Sequence, residues 1–314
     1  MANFLIVARQ VAILFALIAV GAICRRSRLV DAFSVRGMVN VLITIVTPSL
    51  IIECFQRPFD PSMLVQFALA FALAAAMHVV LIVLSRRTAR GDAGSLPVLR
   101  VATVFSNAGF MGIPLEYAIL GAKGVFFGIV YVAMFNLFMW SWGLTVMKGA
   151  DGTEGVRKWE RLRPMLVNPG TVGLLVGFPL FLFSVTLPEL VRTPVRLLAD
   201  LNTPLAMLVI GFYLAGADLK AVARSGQAYL AAFVRLVVSP LVLIAVCWPF
   251  RDRLDRTMVV ALTVAASAPV GAMVTMFASK YGRDVDLSVG LVSGTTILSI
   301  LTMPAIVAFA MEVL

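Results

Sequence analysis

The sequence predicts an all-α membrane protein of ten transmembrane helices, set as two five-helix repeats of opposite orientation. Three observations carry that expectation. Of 314 residues, 61% are hydrophobic and 13% charged, with a mean hydropathy of +0.99. A soluble domain is nearer to about 45–50% apolar and about 25% charged, so too little polar surface exists to cover a water-soluble globule. The chain also divides into ten apolar blocks near the ~20 residues that a spanning helix needs. Finally, prolines recur at a near-constant spacing between the halves: Pro48 and Pro204 lie 156 residues apart, Pro114 and Pro269 lie 155 apart. This composition excludes an ordinary cytosolic enzyme and a nucleic-acid binder, despite a net charge of +10.

The first half, 1–147, holds blocks at 4–24, 34–54, 62–85, 98–119 and 122–147. No basic leader or small-residue cleavage site marks the first block, which reads as a retained helix. The second carries Thr47-Pro48-Ser49 and the third His78. The fourth carries Ser106-Asn107-Ala108-Gly109-Phe110-Met111-Gly112-Ile113-Pro114. The fifth holds Asn136 among Met134, Phe135, Leu137 and Phe138. The longest polar stretch, 148–168, reads as a linker. The second half, 169–314, holds blocks at 169–187, 197–217, 227–249, 257–279 and 287–311. Its seventh helix carries Asn202-Thr203-Pro204, its eighth Arg235, its ninth Ala265-Ala266-Ser267-Ala268-Pro269-Val270-Gly271 and its tenth Ser293-Gly294-Thr295-Thr296.

Lys and Arg set the orientation. With the N-terminus outside, seventeen fall inside, eight outside, and Arg235 lies within a helix. The excess of inner positive charge favours N-out and C-out, with the linker in the cytoplasm. An odd number of helices per half then makes the two halves inverted. The three cysteines, Cys24, Cys54 and Cys247, form no CxxC pair and read as small apolar residues.

Proline removes a backbone donor and clashes with the preceding turn, and nearby glycine eases unwinding. The fourth and ninth helices are therefore expected to be broken at Pro114 and Pro269. Broken helices at matching places in inverted halves mark the midplane binding site of a transporter. The plainer reading is a proline kink between packed helices.

The string from Ser106 to Pro114, continued by Leu115, resembles the fourth-helix signature of the auxin efflux carrier family. Asn40 followed by Thr47-Pro48, Asn136, and Ala268-Pro269 add to the resemblance, which spans essentially the whole chain. The long central loop of many plant auxin exporters is absent. The compact form resembles the bacterial branch, whose members are often labelled malonate or other organic-acid transporters. The resemblance implies a fold like that of bile acid symporters and sodium–proton antiporters, with the fourth and ninth helices crossing at their breaks. It further implies a scaffold of helices 1, 2, 6 and 7 that holds a homodimer, and a moving domain of helices 3–5 and 8–10. The implied substrate is a small organic anion, carried across a bacterial inner membrane.

Half-helices that begin near the midplane aim N–H groups and positive dipole ends at a carboxylate. Beside such breaks, Asn107, Pro114, Ser267 and Pro269 are the candidate substrate-site residues, with Asn136, Ser293, Thr47 and Ser49 nearby. Asn136 is either a cavity residue or interhelical glue. The small polar run from Ser293 either lines the cavity or permits close helix packing. Arg235, His78 and Glu116 are the candidates for a charge or coupling role, with a proton or sodium as the coupled ion. Arg235 either attracts the anion or pairs with a helix end. His78 either titrates or packs. Glu116, two residues past Pro114, is expected near the outer end of its helix, within reach of water. No nucleotide-binding loop, metal-ligand cluster or nucleophile constellation occurs, so neither catalysis nor a cofactor is expected. The alternatives to an anion carrier are a cation-coupled bile-acid-type carrier, or a channel or transport-dead sensor of the same fold.

Overall fold

Helices begin where short polar side chains replace the missing turn. Asp31, Asp60, Ser225, Asp255 and Asp284 each accept a backbone N–H two or three residues on. Such a cap contributes about 1 kcal/mol. The computed structural model describes residues 2–149, 169–216 and 225–314. Most of the expected linker, from Ala150 to Asn168, lies outside the described residues, as does Ala217 at the end of the seventh block.

Among the described residues the chain consists of helices joined by short connections, and it is an integral membrane protein. In chain order the helices are α1 (Ala2–Arg26), α2 (Ala32–Val41), α3 (Thr47–Cys54), α4 (Pro61–Thr88), α5 (Ser95–Val104), α6 (Ile113–Phe138), α7 (Leu144–Lys148) and α8 (Pro169–Leu182). They continue as α9 (Glu189–Asp200), α10 (Asn202–Leu214), α11 (Gly226–Phe233), α12 (Ser239–Cys247), α13 (Arg256–Ser267), α14 (Met273–Lys280) and α15 (Val285–Val313). Seven stretches are long and apolar enough to cross a membrane: Phe4–Arg26, Ala32–Cys54, Pro61–Thr88, Ala108–Lys148, Glu189–Leu214, Gly226–Phe250 and Val285–Val313. Three shorter apolar helices, α5, α8 and α13, accompany them.

Four wide, π-helical turns interrupt these stretches, at Leu42–Val46, Ala108–Gly112, Met139–Gly143 and Val234–Val238. Three lead directly into a helix with proline in its first turn: Pro48, Pro114 and Pro240. Proline's ring collides with the carbonyl four residues back, and widening the preceding turn moves that carbonyl away. Before Pro48, the Leu42 carbonyl accepts both the Thr47 N–H and, at 2.8 Å, Thr47 Oγ1.

The 41-residue stretch Ala108–Lys148 is bent at Gly121, whose φ of 65° and ψ of −160° lie outside the helical region and suit glycine. The fourth and fifth blocks thus meet there. α1 lies against α10 through a close backbone approach: a Cβ on Gly211 would collide with the Ile18 carbonyl, and one on Gly21 with that of Leu208. A second packing centre gathers Phe55, Phe67, Phe126, Phe178 and Phe181 from α4, α6, α8 and the end of α3, with ring centroids 4.9–6.4 Å apart.

Loop hydrogen bonds collect into two groups. Arg283 donates to the carbonyls of Met147, Lys148 and Ala93, and the Arg90 N–H donates to Gln227 Oε1. Separately, Lys123 pairs with Asp255 at 2.6 Å, Arg192 pairs with Glu53 at 3.0 Å, and the Asp255 N–H donates to Gln66. The first group joins loops and helix ends on the side expected inside from sequence, and the second those on the side expected outside.

Candidate functional site

Two interrupted helices meet at the centre of the molecule. α5 ends at Val104, and Phe105 is extended (φ −104°, ψ 113°). α13 ends at Ser267, and Ala268 is extended (φ −62°, ψ 148°), the conformation imposed on a residue before proline. The two extended segments run antiparallel, with Ser106 opposite Val270. The Asn107 N–H donates to the Pro269 carbonyl at 2.6 Å, and the Gly271 N–H donates to the Phe105 carbonyl at 3.0 Å. The Val270 N–H donates to Thr295 Oγ1 of α15 at 3.0 Å. Each break thus satisfies backbone groups of the other, which is the condition for non-helical chain at membrane depth. Gly271 permits the approach, since a Cβ there would lie 3.0 Å from the Ser106 carbonyl oxygen.

The helix ends at this junction are treated differently by polarity. Arg235, fully buried on the wide turn between α11 and α12, donates to the Val104 carbonyl at 2.8 Å and to the Ala266 carbonyl, and to Ser239 Oγ at 2.6 Å. One guanidinium therefore covers the negative C-terminal ends of both α5 and α13. At the opposite polarity, the N–H groups of Ala108, Gly109 and Phe110 find no acceptor among the described residues. A Cβ built on Gly109 would meet nothing within 4 Å, so open space lies beside these donors. Asn107 is 7% exposed, and its amide side chain makes no hydrogen bond among the described residues. The Ser106 hydroxyl is buried and equally unpartnered.

The remaining sequence-selected residues divide. Pro269 lies in the junction. Pro114 does not: it occupies the first turn of α6, and the interruption falls at Phe105–Asn107, before the wide turn that absorbs the proline. The breaks pair at Ser106 and Val270, 164 residues apart, so Pro114 and Pro269 are not equivalent positions. Ser267 is buried and donates to the Val264 carbonyl of its own helix. Thr47 and Ser49 likewise donate to Leu42 and Ile45. Asn136 is half-buried and donates to the Val132 carbonyl at 3.0 Å, one turn back. Ser293 is buried on α15, two residues from Thr295. His78 is buried, hydrogen-bonded through Nδ1 to the Ala74 carbonyl at 2.7 Å, and stacked on Phe138 at 5.2 Å, the packing alternative. Glu116 is not within reach of water. It is 0% exposed: past the bend at Gly121, the rest of α6 brings Gly128 against its carboxyl group.

Residues 6–307 match the family model described as Membrane transport protein. The chain belongs to that family, the family of the auxin efflux carriers. It is a transporter and not an enzyme. It is similar to an uncharacterized transporter of the archaeon Methanothermobacter thermautotrophicus, 28% identical over 215 residues that cover 68% of each chain. It is also similar to auxin efflux carrier component 8 of Arabidopsis thaliana, 24% identical over 147 residues, which are 45% of this chain and 39% of that one.

In this member of the membrane transport family, a cavity of about 140 Å³ opens between the end of α3, the helices α9 and α10, and the start of α6. Arg57, Arg192 and Arg196 line it, against the acids Glu53 and Asp200. Arg192 is tied to Glu53. Arg57 donates through Nε to the Cys54 carbonyl at 3.1 Å and lies 5.2 Å over the Phe126 ring. Two buried amide donors in the lining, Gln56 Nε2 and Asn202 Nδ2, have no acceptor among the described residues. The cavity therefore offers more donors than acceptors and one surplus positive charge. Sequence reasoning counted these arginines only as loop charge. The signal present was the spacing Arg192, Arg196, Asp200, which puts three charges on one face of the amphipathic α9.

Proposed function

We propose that this transporter is a secondary carrier of a small organic anion, a carboxylate such as malonate or an auxin-like acid, working by elevator-type alternating access. The observation that carries the reading is the junction itself: two interrupted helices joined by reciprocal hydrogen bonds, with free N–H groups and open space beside Asn107 and Gly109. Discontinuous helices of this kind place substrate near the bilayer midplane. Free donors at a helix start favour a carboxylate, and the arginine-lined cavity would attract an anion.

In this reading residues 1–147 and 169–314 are inverted repeats joined by the cytoplasmic stretch 148–168, with both termini outside a bacterial inner membrane. α1, α2–α3, α8 and α9–α10 form the scaffold and hold a homodimer. The other helices move with the junction, coupled to a proton or sodium ion. Asn107 is the principal side-chain contact, with Asn136 and Ser293 contributing from the fifth and tenth spans.

The test is uptake by proteoliposomes of labelled malonate, other short carboxylates and indole acetate, with and without proton and sodium gradients. Saturable uptake, accelerated by unlabelled substrate on the far side, is the expected result. Unsaturable conductance points instead to a channel, and binding without flux to a sensor.

A further inference from the structure

Among the described residues, Glu116 is the least accommodated charge-bearing group. It is fully buried, and neither carboxylate oxygen has a hydrogen-bond donor among the described residues. It stands in the first turn of α6, one turn beyond Gly112. A Cβ on Gly112 would lie 3.6 Å from its Oε1 and 3.4 Å from the Cα of Ala265 on α13, and a Cβ on Gly128 would overlap the carboxyl group. Two glycines thus make room for the carboxyl between the two interrupted helices and the second half of α6.

Among the described residues no cation answers it. Lys123 is paired with Asp255, Arg235 is engaged by the carbonyls of Val104 and Ala266, and Arg256 at the start of α13 donates to the Met311 carbonyl. On α4, His78 is held by Ala74 and Phe138, while Arg86 and Arg87 are exposed. On α1, Arg9 is exposed and Arg25 donates to the Phe212 carbonyl. At the end of α3, Glu53 is committed to Arg192, and Arg57 donates to the Cys54 carbonyl and lies over the Phe126 ring. A carboxylate in such surroundings has lost its hydration and gained nothing in return, whereas a carboxylic acid carries no net charge to desolvate.

We propose that Glu116 holds a proton in this conformation, and that this proton is the coupling ion carried with the substrate anion. The inference rests on the carrier reading. The proton comes from water on one side, sits on a Glu116 oxygen during the movement and leaves to water on the other side. Its link to substrate is electrostatic. Glu116 is six residues past Phe110, roughly 9 Å along the helix from the free N–H groups at its start. An ionised Glu116 competes with the substrate carboxylate for that positive helix end and repels it, while a protonated one does neither. At that separation the repulsion weakens anion binding by roughly tenfold. Linkage makes the effect reciprocal, so the bound anion strengthens proton binding by the same factor.

Two measurements on the full-length protein test this. Infrared spectra of purified wild type at neutral pH should contain a protonated-carboxyl C=O band that is absent from Glu116→Gln. Identical spectra overturn the assignment of the proton, whatever the substrate. In proteoliposomes, labelled malonate should exchange against unlabelled malonate in wild type, Glu116→Gln and Glu116→Met alike. Accumulation driven by an imposed proton gradient should be lost in both variants. Gradient-driven accumulation that persists in either variant overturns the coupling role. Absence of exchange in wild type counts against the carrier reading for that probe, and the infrared comparison still decides the proton.

Discussion

Arg235 is a charge whose purpose is geometric. Three of its five donors go to the carbonyls of Val104 and Ala266 and to Ser239, which fixes the guanidinium at the two helix ends. A hydrogen bond from a charged group contributes about 1.5–3 kcal/mol. Arg235→Met is expected to lower the thermal midpoint of the purified protein and abolish uptake, with partial recovery in Arg235→Lys. An unchanged midpoint would show that the guanidinium does not tie the helix ends. Asn107 is the opposite case, a side chain near the junction whose amide is uncommitted. If it donates to the carboxylate, Asn107→Ala weakens malonate binding roughly 10- to 150-fold. Asn136→Ala is expected to cost less, because its amide is already bonded to Val132. Titration calorimetry on both variants measures the ordering, and equal losses would contradict it. Gly109→Leu should block uptake with little change in stability, since open space surrounds that position.

At the scale of elements, hydropathy made the apolar helices legible, and Pro269 made one of the two breaks legible. The other break was misplaced by several residues because proline does two things. At Pro269 it forces the preceding residue into extended backbone. At Pro114, as at Pro48 and Pro240, the preceding turn widens and the helix continues. Sequence does not reveal which response occurs, because the choice depends on whether a second chain is present to satisfy the freed groups. Pro114→Ala is accordingly expected to leave most uptake intact, far more than Asn107→Ala does; equal losses in a side-by-side assay would restore Pro114 to the junction. Glu116 was misjudged for a related reason: an acid shortly after a proline looks like a helix start at a surface, and the bend at Gly121 that covers it is a backbone event. The α1–α10 contact makes a further prediction. Gly211→Leu, facing the Ile18 carbonyl, should lower the melting temperature sharply, whereas Gly294→Leu, with nothing within 4 Å of its Cβ, should not.

At the scale of the molecule, the cavity lies between the proposed scaffold and the proposed moving domain. Tyr117 and Thr203 both line it, one from each side. In a cysteine-free background, Tyr117→Cys with Thr203→Cys joined by a short bifunctional reagent should stop uptake, and reduction of a cleavable linker should restore it. Full uptake by the crosslinked protein would rule out relative movement of those surfaces. The interior that such movement displaces has one further property. Because a single guanidinium holds the ends of both interrupted helices, and their backbones are bonded to one another, the junction cannot be pulled apart without exposing several unpaired polar groups. It travels whole or not at all. In the proposed movement, a cargo arriving from either side then meets the same donors in the same arrangement. Such a device has no built-in rectifier: the same protein imports or exports according to the concentrations and the potential across it, and its physiological direction belongs to the cell around it.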